Sequence, residues 1–448
     1  MSDPEGKKEL PSKFPARLPE REAPRWEDGD LVDEKGRPVK AHALRISAPG
    51  GYLTNPSDTI SREVTKVIAR PELLAINKDR EQVEYAFSLK AKSKEGENKH
   101  SKGLIVYKST DDYTSSPEWG DKLVDPILGE LLKEARNMDR EDLFLHTLIM
   151  NELPRHGPDG FPLSLETIRR AKKTRRGRNP PRGAALAEEL MALHRRLHRL
   201  ARIAIYAPAD VYISGRYFKG TPFQGGSLIN VGHPISLMPT LAGKFIPAEW
   251  YIQPGSVGMF LCQEFGIKGV SPQAGIYPEA VFSLDLERRE GAFRLALPLA
   301  QLWRIRAGRA QDMERTWIPR TLFETAGIPL PKSRQKNQQW LNSREADLEA
   351  LVDCGLLHSW QWGPEWAADL ASMPGGKRHP RGWFDRLLDE GRLILEPHPD
   401  ILQRYADSGL PGAARYLAEF TQRPGVKVPT RPLPGPTRTP RRSRRAKS

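Results

Sequence analysis

Cysteine is scarce in this chain of 448 residues, and its scarcity excludes two kinds of covalent scaffold. The chain has only two cysteines, Cys262 and Cys354, each within apolar sequence (MFLCQEF and LVDCGLL). Two cysteines are too few for a disulfide framework or a cysteine-based zinc site. We therefore expect both residues to be buried, reduced thiols.

Long hydrophobic runs are also lacking. The longest apolar stretches, such as 143–150, are broken by polar residues well before the roughly 20 positions that a bilayer crossing requires. The first residues, MSDPEGKKELPSKFP, contain no apolar core of the roughly 7 to 15 residues that a secretory signal needs. These absences predict a cytoplasmic protein without a membrane segment.

Enzyme motifs of three kinds are absent from the sequence or incomplete. No G-x-x-x-x-G-K-[ST] phosphate loop occurs, since Gly-Lys at 243–244, for example, is followed by Phe245. The histidines of HRRLH at 194–198 lack the glutamate that follows the first histidine of metalloproteases, so we expect them on a helix surface. Asp285 and Glu287, on a strand-like segment, form a weak two-carboxylate pattern, and the sequence does not indicate a third metal ligand. We expect a protein that is not an enzyme and has no cofactor.

Charge is present in excess, and it is unevenly distributed. The formal net charge is +14, from 70 basic and 56 acidic residues. Residues 423–448 contain seven arginines and two lysines with no acid, and residues 155–202 contain thirteen basic and four acidic residues. These two segments carry all of the excess, which suggests a polyanionic partner that contacts particular parts of the chain.

The chain between its ends alternates helical and strand-like patterns. Segments 81–90 and 103–108 have alternating apolar residues and predict a β-hairpin. A helix is predicted over 121–137, and a second one begins at Asp139 as N-cap and ends at Pro154.

The elements that follow occur twice in the same order. In the first unit, Ser164 caps a short helix, and a basic connector (172–182) and a helix over 184–202 follow. Then come a strand over 203–207, a Gly-rich wing over 210–226 and a strand over 227–231, which is predicted to pair with the strand over 203–207. In the second unit, a helix around 295–303 has an uncertain start because of Pro298. It is followed by helices over 318–328 and 333–354, a strand over 356–362, a long wing and a strand over 392–396.

With the helix that begins at Asp139 counted as the first helix of the first unit, both units have the order of three helices, strand, wing and strand. This order is typical of a winged helix. We therefore predict an α+β fold with two tandem winged-helix (helix-turn-helix) domains and disordered tails. The predicted segments are 1–60, disordered; 61–245, the first winged-helix domain with its preceding hairpin and helix; 246–290, a connection; 291–410, the second winged-helix domain; and 411–448, a helix end and a basic Pro/Arg-rich disordered tail.

The third helix of the second unit carries side chains suited to reading base edges. Arginine and lysine bond guanine, whereas asparagine and glutamine bond adenine. The predicted base-reading residues are Lys332, Arg334, Lys336, Asn337, Gln338, Gln339, Asn342 and Arg344. An ordinary solvated helix face is the alternative interpretation of these residues.

Phosphate contacts are predicted for the first unit and for the wings. The first unit has eight basic residues without an intervening acid: Arg169, Arg170, Lys172, Lys173, Arg175, Arg176, Arg178 and Arg182. The wing candidates are Arg216 and Lys219 in the first unit, and Lys377, Arg378 and Arg381 in the second. Arginines at 195, 196, 199 and 202 would continue this row of phosphate contacts along the next helix. A surface loop, a nuclear-targeting or RNA-binding loop and a solubilising tail are the alternatives.

The two units resemble plasmid replication initiators that carry tandem winged-helix domains and bind origin repeats. The resemblance lies in LHTLIMNEL, GFPLSLETI, LHRLARIAIYA and GSLINV of the first unit, and in LALPLAQLWRIR, TLFETAGI and LEALVDCGLLHSWQW of the second, and covers about residues 140 to 400. The Arg-rich connector, the long second wing and both tails depart from it.

The resemblance implies a non-catalytic protein that binds double-stranded DNA repeats, opens adjacent A·T-rich DNA and recruits the host replication initiator and helicase. It would be located on the nucleoid or plasmid, and a homodimer through the first winged-helix domain is a further expected partner interaction. A winged-helix transcriptional or partition regulator and a DNA-nicking or priming enzyme remain as alternatives.

Overall fold

The structure of the chain is a computed structural model, and it divides into two compact units, an N-terminal unit (1–45) and a main unit (46–448). In the N-terminal unit, β1 (Arg25–Glu27) and β2 (Asp30–Val32) form an antiparallel hairpin. The main unit combines helices with small antiparallel sheets, so the fold class is α+β, as predicted. The described residues are 25–27, 30–32, 52–56, 59–92, 98–108, 124–172, 182–206, 211–213, 216–218, 224–239, 245–259, 274–307, 316–331, 333–366 and 382–421.

A five-stranded antiparallel sheet lies in the first half of the main unit. Its strands, in spatial order, are β11 (Gln224–Ser227), β8 (Ile203–Tyr206), β6 (Asn98–Tyr107), β5 (Gln82–Lys92) and β4 (Ala75–Asn77). Alternation along the strands buries Val83, Ile105 and Ile205. The predicted hairpin is confirmed, because β5 pairs with β6 along its whole length.

Helices follow where capping residues and apolar periodicity predict them. They are α1 (Thr59–Ala69), α2 (Val124–Arg136), α3 (Arg140–His156), α4 (Leu165–Ala171) and α5 (Ala184–Ala201). Asp139 and Ser164 are confirmed as N-caps that accept hydrogen bonds from backbone N–H groups. The predicted end of α3 at Pro154 is wrong. A proline in the last turn removes only one hydrogen bond, and the helix ends at Gly157, whose φ is +63°.

A three-stranded antiparallel sheet contains β12 (Ile229–Pro239), β13 (Phe245–Pro254) and β7 (Phe161–Ser164), in that order. The prediction that 227–231 pairs with strand 203–207 is correct only for Ser227 of β11, which pairs with Ala204 of β8; Ile229–Val231 belong to β12 and pair with β13. The Gly225-Gly226 step of β11 gives no apolar alternation. Gly226 is nevertheless needed there, because a Cβ would lie 1.9 Å from Ser256 Oγ. Inside the predicted first wing, β9 (Val211–Ile213) and β10 (Arg216–Phe218) form a hairpin.

The second half of the main unit contains the second predicted set of three helices and two strands. Its elements are β14 (Ala274–Pro278), paired with β3 (Tyr52–Pro56), then α6 (Glu290–Ala307), β15 (Thr316–Trp317), α7 (Pro319–Thr325), α8 (Asn337–Asp353), β16 (Leu357–Trp362), α9 (Trp383–Asp389), β17 (Leu393–Pro397), α10 (Pro399–Asp407) and α11 (Pro411–Thr421). The predicted helices and strands are confirmed, and α6 continues through Pro298. Strands β15, β17 and β16 form an antiparallel sheet in that order.

An aromatic cluster joins helices of the two predicted winged-helix domains. Phe144 of α3 lies 5.1 Å from Phe282 and 5.7 Å from Phe293 of α6, between ring centroids. All three side chains are almost completely buried. The two sets of helices therefore share a core within the main unit.

Several predictions fall partly or wholly outside the described residues. In the N-terminal segment expected to be disordered, 1–60, the structure describes β1, β2, β3 and the start of α1. The tail from residue 422 onward lies outside the described residues. Cys262 also lies outside, whereas Cys354 is a free thiol that is only partly buried. Among the helices described here, none has the length and apolarity needed to span a membrane.

Candidate nucleic-acid interface

The N-terminal half of α8 presents polar side chains to solvent. The opposite face of α8 is buried through Leu341, Leu348 and Leu351. Of the predicted base-reading residues, four are exposed and Asn337 is half-buried; the exposed ones are Lys336, Gln338, Gln339 and Asn342. No acidic residue occurs between 333 and 344. This surface, the α8 amide face (Lys336, Gln338, Gln339 and Asn342), is mildly cationic and rich in amides.

Two amides of this face are one helical turn apart and bonded to each other. Gln338 Nε2 donates to Asn342 Oδ1 at 2.8 Å. The bond orients both side chains along the helix, as expected at i,i+4 spacing. Amides provide both donors and acceptors, which is the combination that the major-groove edge of adenine requires.

Tryptophan side chains hold α8 against its neighbours. Trp340 Nε1 donates to the carbonyl oxygen of Pro329 at 2.9 Å. Its ring contacts Phe323 of α7 and Phe384 of α9 edge to face, with centroid distances of 5.0 and 5.5 Å. These contacts fix the angle between α7 and α8, and therefore the direction in which the α8 amide face points.

The acidic residues of α8 are bonded to strand β16. Trp362 Nε1 donates to Glu345 Oε1 and Trp360 Nε1 donates to Glu349 Oε1, both at 3.0 Å. These anchors were not predicted from the sequence. The sequence nevertheless contains a pattern that could have predicted them. Two glutamates four residues apart share a helix face, and two tryptophans two residues apart share a strand face.

Arg344 does not share the α8 amide face. Its Nη2 lies 3.0 Å from the Oδ2 atom of Asp347, and the two side chains are 15% and 1% exposed. A Cβ on Gly291 of α6 would lie 2.1 Å from the same Asp347 oxygen, so α6 approaches the pair closely. Burial raises the pKa of the Asp347 carboxyl, although Arg344 opposes this. The structure thus places this predicted base-reading residue in the α6–α8 contact.

Most described basic residues of the first unit have acidic partners within the chain. Arg169 pairs with Glu189, and Arg170 Nε lies 3.2 Å from Glu166 Oε1. Lys172 pairs with Glu141, with its Nζ atom 5.1 Å from the centroid of the Phe144 ring. Arg182 is exposed. These three pairs offset much of the positive charge that the sequence places beside the connector.

Of the four arginines predicted to add phosphate contacts along α5, three pack against α2 and α3 instead, whereas Arg195 is exposed. Arg196 Nη1 and Arg199 Nη2 lie 2.9 and 2.8 Å from Oδ2 of Asp142, which is completely buried. Arg202 pairs with Glu134 of α2. The helix periodicity identified their shared face, but only the tertiary structure shows that acids lie opposite it.

The remaining predicted contacts lie at or beyond the limits of the described residues. Arg334 begins the 3-10 turn Arg334–Lys336, and Arg216 begins β10; only their backbones are described. The other predicted DNA-contacting residues lie outside the described ranges, and they are Lys173, Arg175, Arg176, Arg178, Lys219, Lys332, Lys377, Arg378 and Arg381.

The two histidines of α5 are half-buried, and His194 is bonded to strand β13. His194 Nδ1 accepts a hydrogen bond from Trp250 Nε1 at 3.0 Å, and the rings of His194 and His198 are 4.3 Å apart. Burial lowers the pKa of both imidazoles.

Asp285 lies in a turn and not on a strand, and its Oδ1 atom accepts a hydrogen bond from the backbone N–H of Glu287. Within the described ranges, no three His, Cys, Asp or Glu side chains are placed to hold a metal ion.

Comparison with known proteins gave no match to a family model, to a curated protein or to a solved structure.

Proposed function

We propose that the chain is a sequence-specific double-stranded DNA-binding protein with two tandem winged-helix domains. The observation that carries the proposal is the α8 amide face, which lies on the third helix of the series α6, β15, α7, α8 and β16, followed by α9 and β17. A helix-turn-helix domain inserts this helix into the major groove by its N-terminal part.

The strand order supports the winged-helix interpretation of the second half. The strand after the first helix, β15, pairs with the last strand, β17, which also pairs with β16. The segment between β16 and β17, where the second wing is predicted, includes α9, which packs against α8 through Phe384 and Trp340. The first half has the same helix order, but its strands are shared between two sheets.

Within this proposal, the two halves have different roles. The α8 amide face reads base edges, while the connector 172–182 holds phosphates, because a loop with many cations fixes charge but not donor geometry. Arg344 and the paired arginines of α5 stabilise the fold and contribute no contact to DNA.

The resemblance to plasmid replication initiators supports a more specific proposal. Binding to origin repeats would position the protein to open neighbouring A·T-rich DNA and to recruit the host initiator and helicase, without catalytic activity or a cofactor of its own. A homodimer through the first winged-helix domain would match a pair of repeats.

The test of sequence-specific binding begins with selection of duplexes by the full-length protein from a randomised library. The triple variant Gln338→Ala, Gln339→Ala, Asn342→Ala should then lose about tenfold or more of its preference for the selected duplex over a scrambled one. Its affinity for the scrambled duplex should stay within about twofold of wild type, because phosphate contacts remain. Gln253→Ala, which removes an exposed amide of β13, is the matched control.

Undiminished preference in the triple variant would show that α8 does not read bases, and no preference in the wild-type protein would exclude sequence-specific binding. Capture of bound DNA from cells distinguishes an initiator, which occupies a plasmid origin, from a regulator, which occupies promoters. Conversion of supercoiled plasmid to nicked circles with Mg²⁺ or Mn²⁺ would instead show an enzyme.

A further inference from the structure

A cleft of about 510 Å³ lies between α1, α6, α7 and β15. Helix α1 contributes Arg62, Thr65, Lys66 and Ala69, whose spacing of three and four residues places them on one face. The volume is within the usual range for small-molecule sites. No residue of the α8 amide face lines this cleft, so it is separate from the proposed DNA contact.

Cationic side chains dominate the polar lining of the cleft. Four basic residues line it against one carboxylate: Arg62, Lys66, Arg294 and Arg306 against Glu63. The charge of Arg294 is already offset by Glu290 of α6, at 2.7 Å between Nε and Oε1. The Glu63 carboxylate already accepts hydrogen bonds from Lys66 Nζ at 3.3 Å and from the Tyr85 hydroxyl at 3.1 Å. The lining therefore attracts an anion.

Two buried donors in the lining have no acceptor. They are Arg62 Nε and Trp317 Nε1, and Trp317 is only 7% exposed. Arg62 Nη2 donates to Thr59 Oγ1 at 3.3 Å, and Arg62 makes no ion pair with any described residue. Buried donors in folded proteins are nearly always bonded, so these two are suited to acceptor oxygens of a ligand.

The rest of the lining has no charged side chain, and several of its members are apolar. Leu297, Pro298 and Leu302 of α6 face the cleft together with Leu322 of α7. The guanidinium carbon of Arg306 lies 3.8 Å from the centroid of the Trp317 ring, which holds the two side chains in a stack. An anion that fits this cleft has an uncharged organic part as well as a charged head.

We propose that the cleft binds a small organic anion. The phosphate or carboxylate head accepts hydrogen bonds from Arg62 and Trp317 in the field of Arg306, and the uncharged part packs against Leu297 and Leu302. Helix α7 forms one wall of the cleft, and its Phe323 contacts Trp340 of α8. Such a ligand would therefore bind next to the first of the two helices of the proposed helix-turn-helix.

Isothermal titration of the full-length protein with ADP, octanoate and inorganic pyrophosphate tests this proposal. ADP indicates an organic phosphate and octanoate a carboxylate on an apolar chain, whereas pyrophosphate has charge without an organic part. At least one organic probe should bind saturably below about 1 mM and more tightly than pyrophosphate. Arg62→Gln and Arg306→Gln should each weaken that binding about tenfold. Arg195→Gln, at an exposed arginine of α5, should leave it unchanged.

The wild-type protein provides a second measurement that does not depend on how well the variants fold. Saturation with the bound probe should slow amide hydrogen exchange in 59–69 and 319–325. Failure of both organic probes to bind, binding no tighter than that of pyrophosphate, unchanged affinity in both variants, or unaltered exchange in these helices would each overturn the proposal. None of these outcomes depends on whether the α8 amide face reads DNA.

Discussion

At the scale of single residues, buried ionisable groups determine how stability responds to charge and to pH. Asp142 is completely buried between Arg196 and Arg199, and it also accepts a hydrogen bond from the backbone of Asp139. His146, one turn further along α3, is buried as well. These residues belong to the most buried helix of the first half, so changes there are expected to affect the whole fold.

Replacement of Asp142 by alanine should lower the free energy of unfolding by about 3–5 kcal/mol, because two arginines lose their buried partner. Urea denaturation followed by circular dichroism measures this change. Glu166→Ala, which breaks the exposed pair with Arg170, is the control and should cost less than about 1 kcal/mol. Equal costs for the two variants would show that the buried cluster contributes no more than a surface pair.

His146 should make the protein less stable as the pH falls from 6.5 toward 4. Burial lowers the pKa of its imidazole from 6.5 to about 4. Between these values the unfolded chain binds a proton that the folded chain does not, so stability decreases with falling pH, by about 3 kcal/mol in total. Urea denaturation at several pH values should therefore show a shallower decrease for His146→Leu than for wild type. Parallel curves would contradict this assignment.

At the scale of elements, the C-terminal ends of α1 and α7 lie close together beside the cleft. Gly327, which ends α7, has a φ of +68°, and a Cβ there would lie 2.9 Å from the Ala69 carbonyl oxygen at the end of α1. Arg294 Nη1 donates to the carbonyl oxygens of both Ala69 and Gly327, at 2.6 and 3.2 Å. This side chain therefore links α6 to the ends of α1 and α7.

Substitution of Gly327 by alanine should destabilise the main unit by at least about 1–2 kcal/mol, the cost of a left-handed backbone for a residue with a Cβ. The close contact with α1 adds to this cost. Thermal unfolding monitored by circular dichroism measures the effect. Gly129→Ala in α2 is the control, since nothing lies within 4 Å of its added Cβ, and it should be neutral or stabilising. A similar midpoint for Gly327→Ala and wild type would contradict the inferred packing.

The elements also show where local sequence patterns suffice. Asp139, Ser164 and Gly327 mark helix ends because each acts on backbone groups a few residues away. Strand pairing is different, since β8 lies beside β6, about a hundred residues earlier in the chain. No local period identifies such a partner, and the error over 227–231 has this origin.

At the scale of the whole molecule, the net charge of +14 overstates the positive charge available to a polyanionic partner such as the proposed DNA. Arginines at 169, 170, 196, 199 and 202, together with Lys172, are paired with acids of the same chain. Within 155–202, the basic residues not seen in such pairs include Arg182 and those of the connector outside the described residues. The sequence predicts that this connector is the main site of phosphate contacts in the first half.

Neutralisation of Arg175, Arg176, Arg178 and Arg182 to glutamine should weaken DNA binding uniformly across sequences. The slope of log K against log salt should decrease by about 0.9 for each phosphate that the variant no longer neutralises, so by up to about 3.6. Binding isotherms at several salt concentrations measure the slope. Arg415→Gln, at an exposed arginine of α11 paired with Glu419, should leave it unchanged. An unaltered slope in the quadruple variant would show that the connector does not bind phosphates.

The sequence by itself determined the α+β class, the helices with their caps, and the polar N-terminal half of α8, because propensity, periodicity and capping act over a few residues. Only the tertiary structure decided which charges remain exposed. Arg344 and three arginines of α5, at 196, 199 and 202, have the same local pattern as DNA-contacting residues, yet Asp347, Asp139, Asp142 and Glu134 pair with them in the folded chain. The cleft beside α1 likewise exists only once distant helices pack together, since Arg62 and Trp317 are far apart in sequence.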